Sequence, residues 1–261
     1  MSRIIVAIGG GENGRCLDDG TFLPYETETI DQEIIKFAQK EHPNFLFIDH
    51  AMESLEIQES YFKTMQKIYG EKFGCHCQDL KSNELNDVKK VKEKVAWADI
   101  IYEGGGDTKF MIKLWQDTGF DKVLYEAWNQ GKVISGISAG AVCFFKACNS
   151  ETDSNSTVET FEIVDCLNWF NAFMTPHCNE KGRYESTKEQ LKANHEIGLM
   201  LSNRSALAIV DNKYKVILSE DSSFSPYVIK AYWDQGKYKE VRINNTLEYK
   251  SLEELLSKNL N

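Results

Sequence analysis

The sequence predicts an α/β protein built on a doubly wound, mostly parallel sheet, with an antiparallel extension toward the carboxyl end. Strand and helix patterns alternate through the first half of the 261 residues, which is typical of parallel sheets that carry helices on both faces. The predicted strands there are short runs of β-branched and aromatic residues, as expected of strands buried on both sides. Two glycine-rich turns follow successive strands, at the edge where such sheets bind ligands.

Each element has its own signal. Apolar residues three and four apart predict the helices, as Ile30, Ile34 and Ile35 do in the first of them. Apolar runs bounded by turn residues predict the strands. The predicted strands are 3–8, 45–49, 73–80, 99–103, 132–137, 161–167, 173–177, 206–210, 214–218, 228–233 and 238–243, and the predicted helices are 29–39, 59–69, 83–97, 109–116, 122–130 and 184–201.

The chain length suits one large α/β domain, and we expect a single domain over residues 1–261. A core of about 3–220 is followed by a β-rich extension of about 221–261, in which the last strands continue an antiparallel meander. No linker, repeat or low-complexity tract divides the two parts in the sequence.

Composition excludes several classes of function. The formal net charge of −10, with no local basic cluster, argues against nucleic acid or an anionic membrane as partner. No apolar run reaches the ~18 residues of a membrane span, and the amino-terminal residues enter a strand without room for a signal peptide. Seven cysteines in mostly apolar surroundings fit a reducing cytoplasm better than a disulfide framework. We therefore expect a cytoplasmic protein.

Two motifs that suggest a metal or a cofactor are better explained as plain structure. In Cys75-His76-Cys77 the histidine faces away from the two thiols of an extended segment, and no second ligand pair follows. The glycine-rich loop at residues 9–14 lacks the helix directly behind it that a dinucleotide fingerprint requires. We expect neither a metal nor a cofactor.

The segment Gly136-Ile137-Ser138-Ala139-Gly140 has the pattern of a nucleophile elbow. It follows an apolar strand, and Val142 to Phe145 indicates the first turns of a helix. Glycines on both sides of Ser138 let the strand and helix approach closely, which projects the hydroxyl at the carboxyl end of the sheet. Ser138 is the candidate nucleophile, although the same pattern also occurs in plain strand–helix junctions.

A serine nucleophile needs a base, and His177 is the candidate. It ends an apolar extended run and enters a loop downstream of Ser138, whereas the other histidines flank or lie in early strands (His42, His50, His76) or sit in a helix (His195). A capping or core histidine is the alternative explanation. Backbone N–H groups of Ala139 and Gly106 are the candidate oxyanion hole.

The carboxylate that orients His177 is less defined. Asp153 lies in the polar loop after the elbow, and Asp211 ends the strand 206–210. Either could be a plain turn residue. If neither lies near His177, a Ser–His pair or a glutamate is the alternative.

Three motifs together resemble the peptidase E (aspartyl dipeptidase) family of serine peptidases: Gly104-Gly105-Gly106-Asp107-Thr108, Gly136-Ile137-Ser138-Ala139-Gly140-Ala141 and Thr175-Pro176-His177. The resemblance covers roughly residues 3–220. It implies a fold similar to class I glutamine amidotransferases, with cyanophycinase as a relative.

The resemblance also implies roles for individual residues. Ser138 is the nucleophile, His177 is the base, and Gly106 and Ala139 form the oxyanion hole. The family's acidic member matches Asp153 or Asp211, and we prefer Asp211 because a strand end is a stiffer mount than a Ser/Asn-rich loop.

One departure concerns specificity. Aspartyl dipeptidases carry an arginine after the histidine that is thought to hold the substrate's aspartate, and Thr187 falls at that position here. Arg183 and Lys188 are the candidate replacements, although each is equally explained as a solvated helix charge. The resemblance therefore does not extend to strict Asp-X specificity.

These observations predict a serine peptidase that hydrolyses short peptides through a Ser-His-Asp triad and an acyl-enzyme. Its partner is a short peptide substrate, and a homodimer is left open. An amidotransferase-like glutaminase is disfavoured because that class uses a cysteine at the elbow and His-x-Glu. A catalytically silent or regulatory protein with the same fold is the alternative.

Overall fold

The computed structural model describes residues 2–17, 19–151, 160–194, 196–244 and 247–259. Its strands are β1 (Ile4–Ile8), β2 (Asn44–Ile48), β3 (His76–Asp79), β4 (Ile100–Glu103), β5 (Val133–Ile137), β6 (Phe145–Glu151), β7 (Phe161–Asp165), β8 (Phe170–Thr175), β9 (Gly198–Leu201), β10 (Ser205–Val210), β11 (Lys213–Leu218), β12 (Val228–Asp234), β13 (Lys237–Ile243) and β14 (Lys250–Ser251). Its helices are α1 (Glu28–Phe37), α2 (Leu55–Met65), α3 (Val88–Trp97), α4 (Thr108–Thr118), α5 (Phe120–Asn129), α6 (Ala139–Val142), α7 (Arg183–Asn194) and α8 (Leu252–Leu255).

The main sheet has the order β14-β11-β10-β1-β5-β4-β2-β3. The strands from β1 to β3 in this order are parallel to one another, and β10 and β11 run antiparallel beside β1. This confirms the predicted α/β class with a mostly parallel sheet.

Helices cover both faces of this sheet, which explains its continuous apolar strands. On β1, Ile5 and Ala7 belong to a core that includes apolar residues of α3, α4, α5 and the second sheet. Ile4, Val6 and Ile8 face the opposite core, which includes residues of α1 and α2. The sheet is therefore doubly wound, as the sequence predicts.

A second sheet has the order β13-β12-β9-β8-β6-β7 and mixes parallel and antiparallel pairs. The last long strands of the chain form antiparallel pairs, as predicted, but they do not form one continuous meander. The hairpin β10–β11 extends the main sheet, whereas β12 and β13 join the second sheet through β9, with Val228 opposite Leu201.

Two predicted helices are shorter in the structure. The predicted helix 184–201 ends at Asn194, and Gly198–Leu201 is a buried strand. A Cβ on Gly198 would lie 2.4 Å from Leu191 Cδ1, so the glycine lets α7 pack closely on β9. The helix after Ser138 is a single turn, and β6 already begins at Phe145.

No helix in the described ranges has both the length and the apolar character needed to cross a membrane. The described cysteines are all free thiols.

Two buried carboxyl groups lie where β2 and β4 end. Asp49 is 2% exposed, and neither of its oxygens has a hydrogen-bond partner in the described part of the chain. Glu103 Oε1 accepts from the backbone N–H groups of His50 (2.8 Å) and Ala51 (3.2 Å). Burial raises the pKa of Asp49 to about 7, and burial followed by the charge of Asp49 raises the pKa of Glu103 well above its usual value.

We expect the unpartnered Asp49 to make stability depend on pH. An unfolded aspartate titrates near ~3.9, and the folded pKa of Asp49 is about 7. The contribution of Asp49 to the free energy of unfolding is therefore complete below about pH 4 and is lost as the pH rises toward 7. The Asp49→Asn variant cannot ionise, so its unfolding free energy should fall by less over this window, by on the order of 4 kcal/mol.

Urea denaturation at a series of pH values measures this difference. The exposed Asp117→Asn on α4, whose carboxylate pairs with Lys113, is the matched control and should keep the wild-type slope. A wild-type slope in Asp49→Asn would contradict the burial argument.

Candidate active site

Ser138 lies at the turn between β5 and α6 with φ 55° and ψ −113°. This backbone conformation is unusual for a residue with a side chain. Two hydrogen bonds hold the turn: Ser138 N–H donates to Ile8 O at 3.0 Å, and Gly140 N–H donates to Gly104 O at 3.1 Å. The hydroxyl is thus fixed at the carboxyl edge of the main sheet.

The glycines on either side of Ser138 permit the contact between β5, α6 and β4. A Cβ on Gly136 would lie 2.4 Å from Gly140 O, and a Cβ on Gly140 would lie 2.5 Å from Glu103 O. Both neighbours are backbone atoms, which cannot move aside as a side chain can. The predicted elbow geometry is present.

His177 contacts Ser138 directly. Its Nε2 lies 2.9 Å from Ser138 Oγ, and its Nδ1 lies 2.5 Å from Asn203 Oδ1. Asn203 Nδ2 donates to Glu180 Oε1 at 3.1 Å, which assigns the amide orientation and leaves Oδ1 as an acceptor. Nδ1 therefore carries the proton, and Nε2 is left to accept the proton of the serine hydroxyl.

Glu180 also reaches the imidazole, with Oε1 3.3 Å from His177 Nδ1. Burial raises the pKa of Glu180, but hydrogen bonds and charges from His177, Asn203 and Arg183 outweigh burial and lower it to about 2. Glu180 is therefore an anion behind the histidine at neutral pH.

The glycine-rich loop after β1 makes room for these side chains. A Cβ on Gly10 would lie 2.3 Å from His177 Nδ1 and 2.2 Å from Asn203 Oδ1. His177 N–H in turn donates to Gly9 O at 2.9 Å. The loop therefore makes the space that the imidazole occupies.

The prediction that Asp211 orients His177 is wrong. β10 runs antiparallel to β1, with Ala206 opposite Ile8 and Val210 opposite Ile4. Asp211 therefore lies beside the amino-terminal end of β1, roughly 16 Å (five residues of strand) from the carboxyl end where Ser138 lies. There its carboxylate accepts from Arg3 N–H at 2.9 Å. Asp153 lies outside the described residues, as does His195.

The two predicted substrate-binding cations differ in position. Arg183 lines a cavity beside Ser138, with Nη2 3.1 Å from Glu151 Oε2 and Nε 3.6 Å from Glu180 Oε2. Lys188 instead lies over the ring of Tyr238, 4.7 Å from its centroid, and lines neither cavity described below. Its helix turns it toward β13, so the prediction for Lys188 is wrong.

Two cavities meet at Ser138 and His177. One, of about 500 Å³, is lined by residues 11–13 and 15–17, by α2 and by Gly105. The other, of about 630 Å³, is lined by Gly106, Ala139 and residues of β6 and α7. Among the hydrogen bonds of the described residues, the N–H groups of Gly106 and Ala139 donate to no backbone carbonyl.

Asn203 and Glu180 are the residues that sequence reasoning missed. Glu180 stands three residues after His177, whereas the pattern considered was His-x-Glu. Asn203 follows the apolar run Gly198–Leu201, which was assigned to a helix. A strand in that place, parallel to β8, would have put Asn203 at the same strand ends as His177, since Thr175 lies opposite Met200.

A serine at a strand–helix elbow, hydrogen-bonded to a histidine whose other nitrogen is held by an acceptor, is the arrangement of serine hydrolases. The chain matches the sequence model of Peptidase family S51 over residues 19–217, most of its length. It belongs to that family and is a serine-type peptidase, which confirms the resemblance to peptidase E.

Relatives agree with this assignment. The chain is 29% identical to "Uncharacterized peptidase YgaJ" of Bacillus subtilis over 74% of each sequence. Its fold is similar to that of a peptidase from an acI-B1 Actinobacterium, with a TM-score of 0.67, 21% identity and coverage of 96% of this chain and 97% of that one. It is also similar to a putative peptidase E protein of Listeria monocytogenes EGD-e, with a TM-score of 0.57, 19% identity and coverage of 84% and 99%.

We expect any side chain at position 140 to strain the elbow and lower the stability of the fold. In Gly140→Ala the added Cβ meets the backbone oxygen of Glu103, and the strain should lower the unfolding free energy by about 1–3 kcal/mol. The control is Gly70→Ala, where the nearest atom is Cys77 Sγ at 3.4 Å, an ordinary contact. Chemical denaturation measures both variants, and equal stabilities would contradict the packing argument.

Proposed function

We propose that the protein hydrolyses short peptides through an acyl-enzyme on Ser138. The contact of 2.9 Å between His177 Nε2 and Ser138 Oγ carries the proposal, because a hydroxyl becomes a useful nucleophile when a base accepts its proton. Cavities of about 500 and 630 Å³ on the two sides of Ser138 suit a substrate of a few residues.

The steps follow from the positions of the groups. Ser138 Oγ attacks the scissile carbonyl carbon while its proton passes to His177 Nε2. The N–H groups of Gly106 and Ala139 stabilise the oxyanion. The imidazolium then gives the proton to the leaving amine as the C–N bond breaks. Water attacks the acyl-enzyme in the same way and returns Ser138 to its starting state.

Asn203 takes the orienting role in this proposal. Its Oδ1 accepts from Nδ1–H of His177 and so fixes the tautomer that the mechanism needs. The carboxylate of Glu180 supports the positive imidazolium from the same side. Asp153 stays a prediction, and it has to compete with two acceptors that already reach Nδ1.

A cytoplasmic location is part of the proposal. Support comes from the seven cysteines, an odd number in mostly apolar surroundings, which fits a reducing compartment better than a disulfide framework. The homodimer and the single domain over residues 1–261 stay predictions.

Removing the nucleophile tests the mechanism. Ser138→Ala should lose at least ~10³-fold in the hydrolysis rate of dipeptide or aminoacyl-arylamide substrates, with an unchanged circular dichroism spectrum. A fluorophosphonate probe should label the wild type and not the variant. Equal turnover by both proteins would contradict the assignment. An unlabelled wild type beside a labelled control hydrolase would favour the catalytically silent alternative.

Removing the orienting group tests the third member. Asn203→Ala should lower kcat by about 10²-fold with little change in KM, since the imidazole loses its fixed tautomer. Asn203→Asp should recover part of this loss, because a carboxylate also accepts from Nδ1–H. Asp211→Asn is the matched control and should keep the wild-type rate, because Asp211 contacts Arg3 at the far edge. Asp153→Asn is measured in parallel, and a collapse there with normal Asn203→Ala would reverse the choice.

A further inference from the structure

The cavity on the Gly106 side of Ser138 is strongly acidic. Four carboxylates line it, and the only guanidinium among the described lining residues is that of Arg183; the carboxylates are those of Glu53, Asp107, Glu151 and Glu180. The four carboxylates exceed the one guanidinium by three formal negative charges. Such a cavity raises the local concentration of cations and disfavours anions.

Arg183 does not present a free charge to this cavity. Its Nη2 binds Glu151 and its Nε faces Glu180, while the guanidinium lies 5.2 Å from the centroid of the Phe161 ring. The side chain is only 9% exposed. Two carboxylates already compensate the one cation that could hold an acidic substrate.

Asn149 adds an acceptor without a donor. It lines the cavity and is 1% exposed. Its Nδ2 donates to Thr187 Oγ1 at 2.9 Å and to Arg183 O at 3.3 Å, and the carbonyl of Arg183 assigns this orientation of the amide. Asn149 Oδ1 then has no hydrogen-bond donor within the described ranges. An unpaired buried acceptor is costly, and a hydrogen-bond donor on a ligand in this cavity would satisfy it.

Thr187 itself offers no positive charge. It is fully buried, and its hydroxyl donates to Arg183 O at 2.7 Å and lies 2.7 Å from Thr175 Oγ1. The position that should carry the acid-binding arginine is thus filled by a neutral, internally bonded side chain.

The oxyanion position decides which part of the substrate enters. Gly106 and Ala139 line this cavity and not the one on the other side of Ser138. This cavity begins at these N–H groups, so it is open to the side chain of an acyl residue whose carbonyl oxygen binds them. We propose that this cavity binds a cationic side chain, of the arginine or lysine type, on the acyl residue of the peptide. This inference rests on the proposed function.

Matched substrates test the charge alone. The p-nitroanilides of arginine and citrulline have nearly the same shape and the same free α-amino group, and differ in the charge of the side chain. The kcat/KM for the arginine substrate should exceed that for citrulline by about tenfold, and should also exceed that for aspartate. The Arg:citrulline ratio should decrease at high salt.

A variant locates the charge. Glu151→Gln removes one carboxylate and frees Arg183, so the Arg:citrulline ratio should fall by at least about threefold. Glu185→Gln, on the exposed side of α7, makes the same change in net charge outside the cavity and should keep the ratio within about twofold. Equal rates for arginine and citrulline, or a preference for aspartate, would overturn the inference and leave the peptidase proposal standing.

Binding separates the two proposals if no substrate is cleaved. That result would count against the proposed function, and calorimetry on Ser138→Ala with argininamide, citrulline amide and aspartic acid amide would then decide the inference. Tighter binding of argininamide by about tenfold supports the cationic subsite. Equal binding, or no binding, rejects it.

Discussion

Three consecutive carbonyl groups where β1 ends hold the site together. The oxygens of residues 8–10 accept, in order, from the backbone N–H groups of Ser138 (3.0 Å), His177 (2.9 Å) and Arg204 (2.8 Å), the last of which follows Asn203. Each of these residues comes from a different loop. β1 lies in the middle of the main sheet and is buried on both faces, so its end is held rigidly. The three hydrogen bonds to this end therefore set the distances between the side chains of Ser138, His177 and Asn203.

The close packing around the end of β1 requires glycine at several positions. Ser138 has a backbone conformation that costs on the order of 1–3 kcal/mol, and the tight packing at Gly136 and Gly140 keeps it in place. Gly10 leaves space for the imidazole, because a Cβ at this position would overlap the ring of His177. Gly10, Gly136 and Gly140 are thus all required by the close packing around Ser138 and His177.

The sequence predicted the local parts of this site and missed the parts set by topology. Ser138 and its glycines form one continuous motif, and His177 follows a recognisable strand, so short-range patterns sufficed. Asn203 can be found only if Gly198–Leu201 is predicted as a strand. The predicted helix 184–201 concealed the turn between β9 and β10 in which Asn203 lies. Asp211 was sought on the correct strand, β10, but at the wrong end, because nothing local reveals that β10 runs antiparallel to β1.

The neutral amide beside His177 changes how the histidine is supported. In a Ser-His-Asp triad the carboxylate both orients the imidazole and stabilises its positive form. Asn203 Oδ1 can orient Nδ1–H as well as a carboxylate can, but it brings only a dipole. In the proposed mechanism the charge comes instead from Glu180, whose pKa, lowered to about 2, keeps it ionised at neutral pH. Because the Glu180 side chain is 47% exposed, solvent screens its charge. In this proposal Asn203 orients the imidazole and Glu180 stabilises its positive form, whereas in a Ser-His-Asp triad one carboxylate does both.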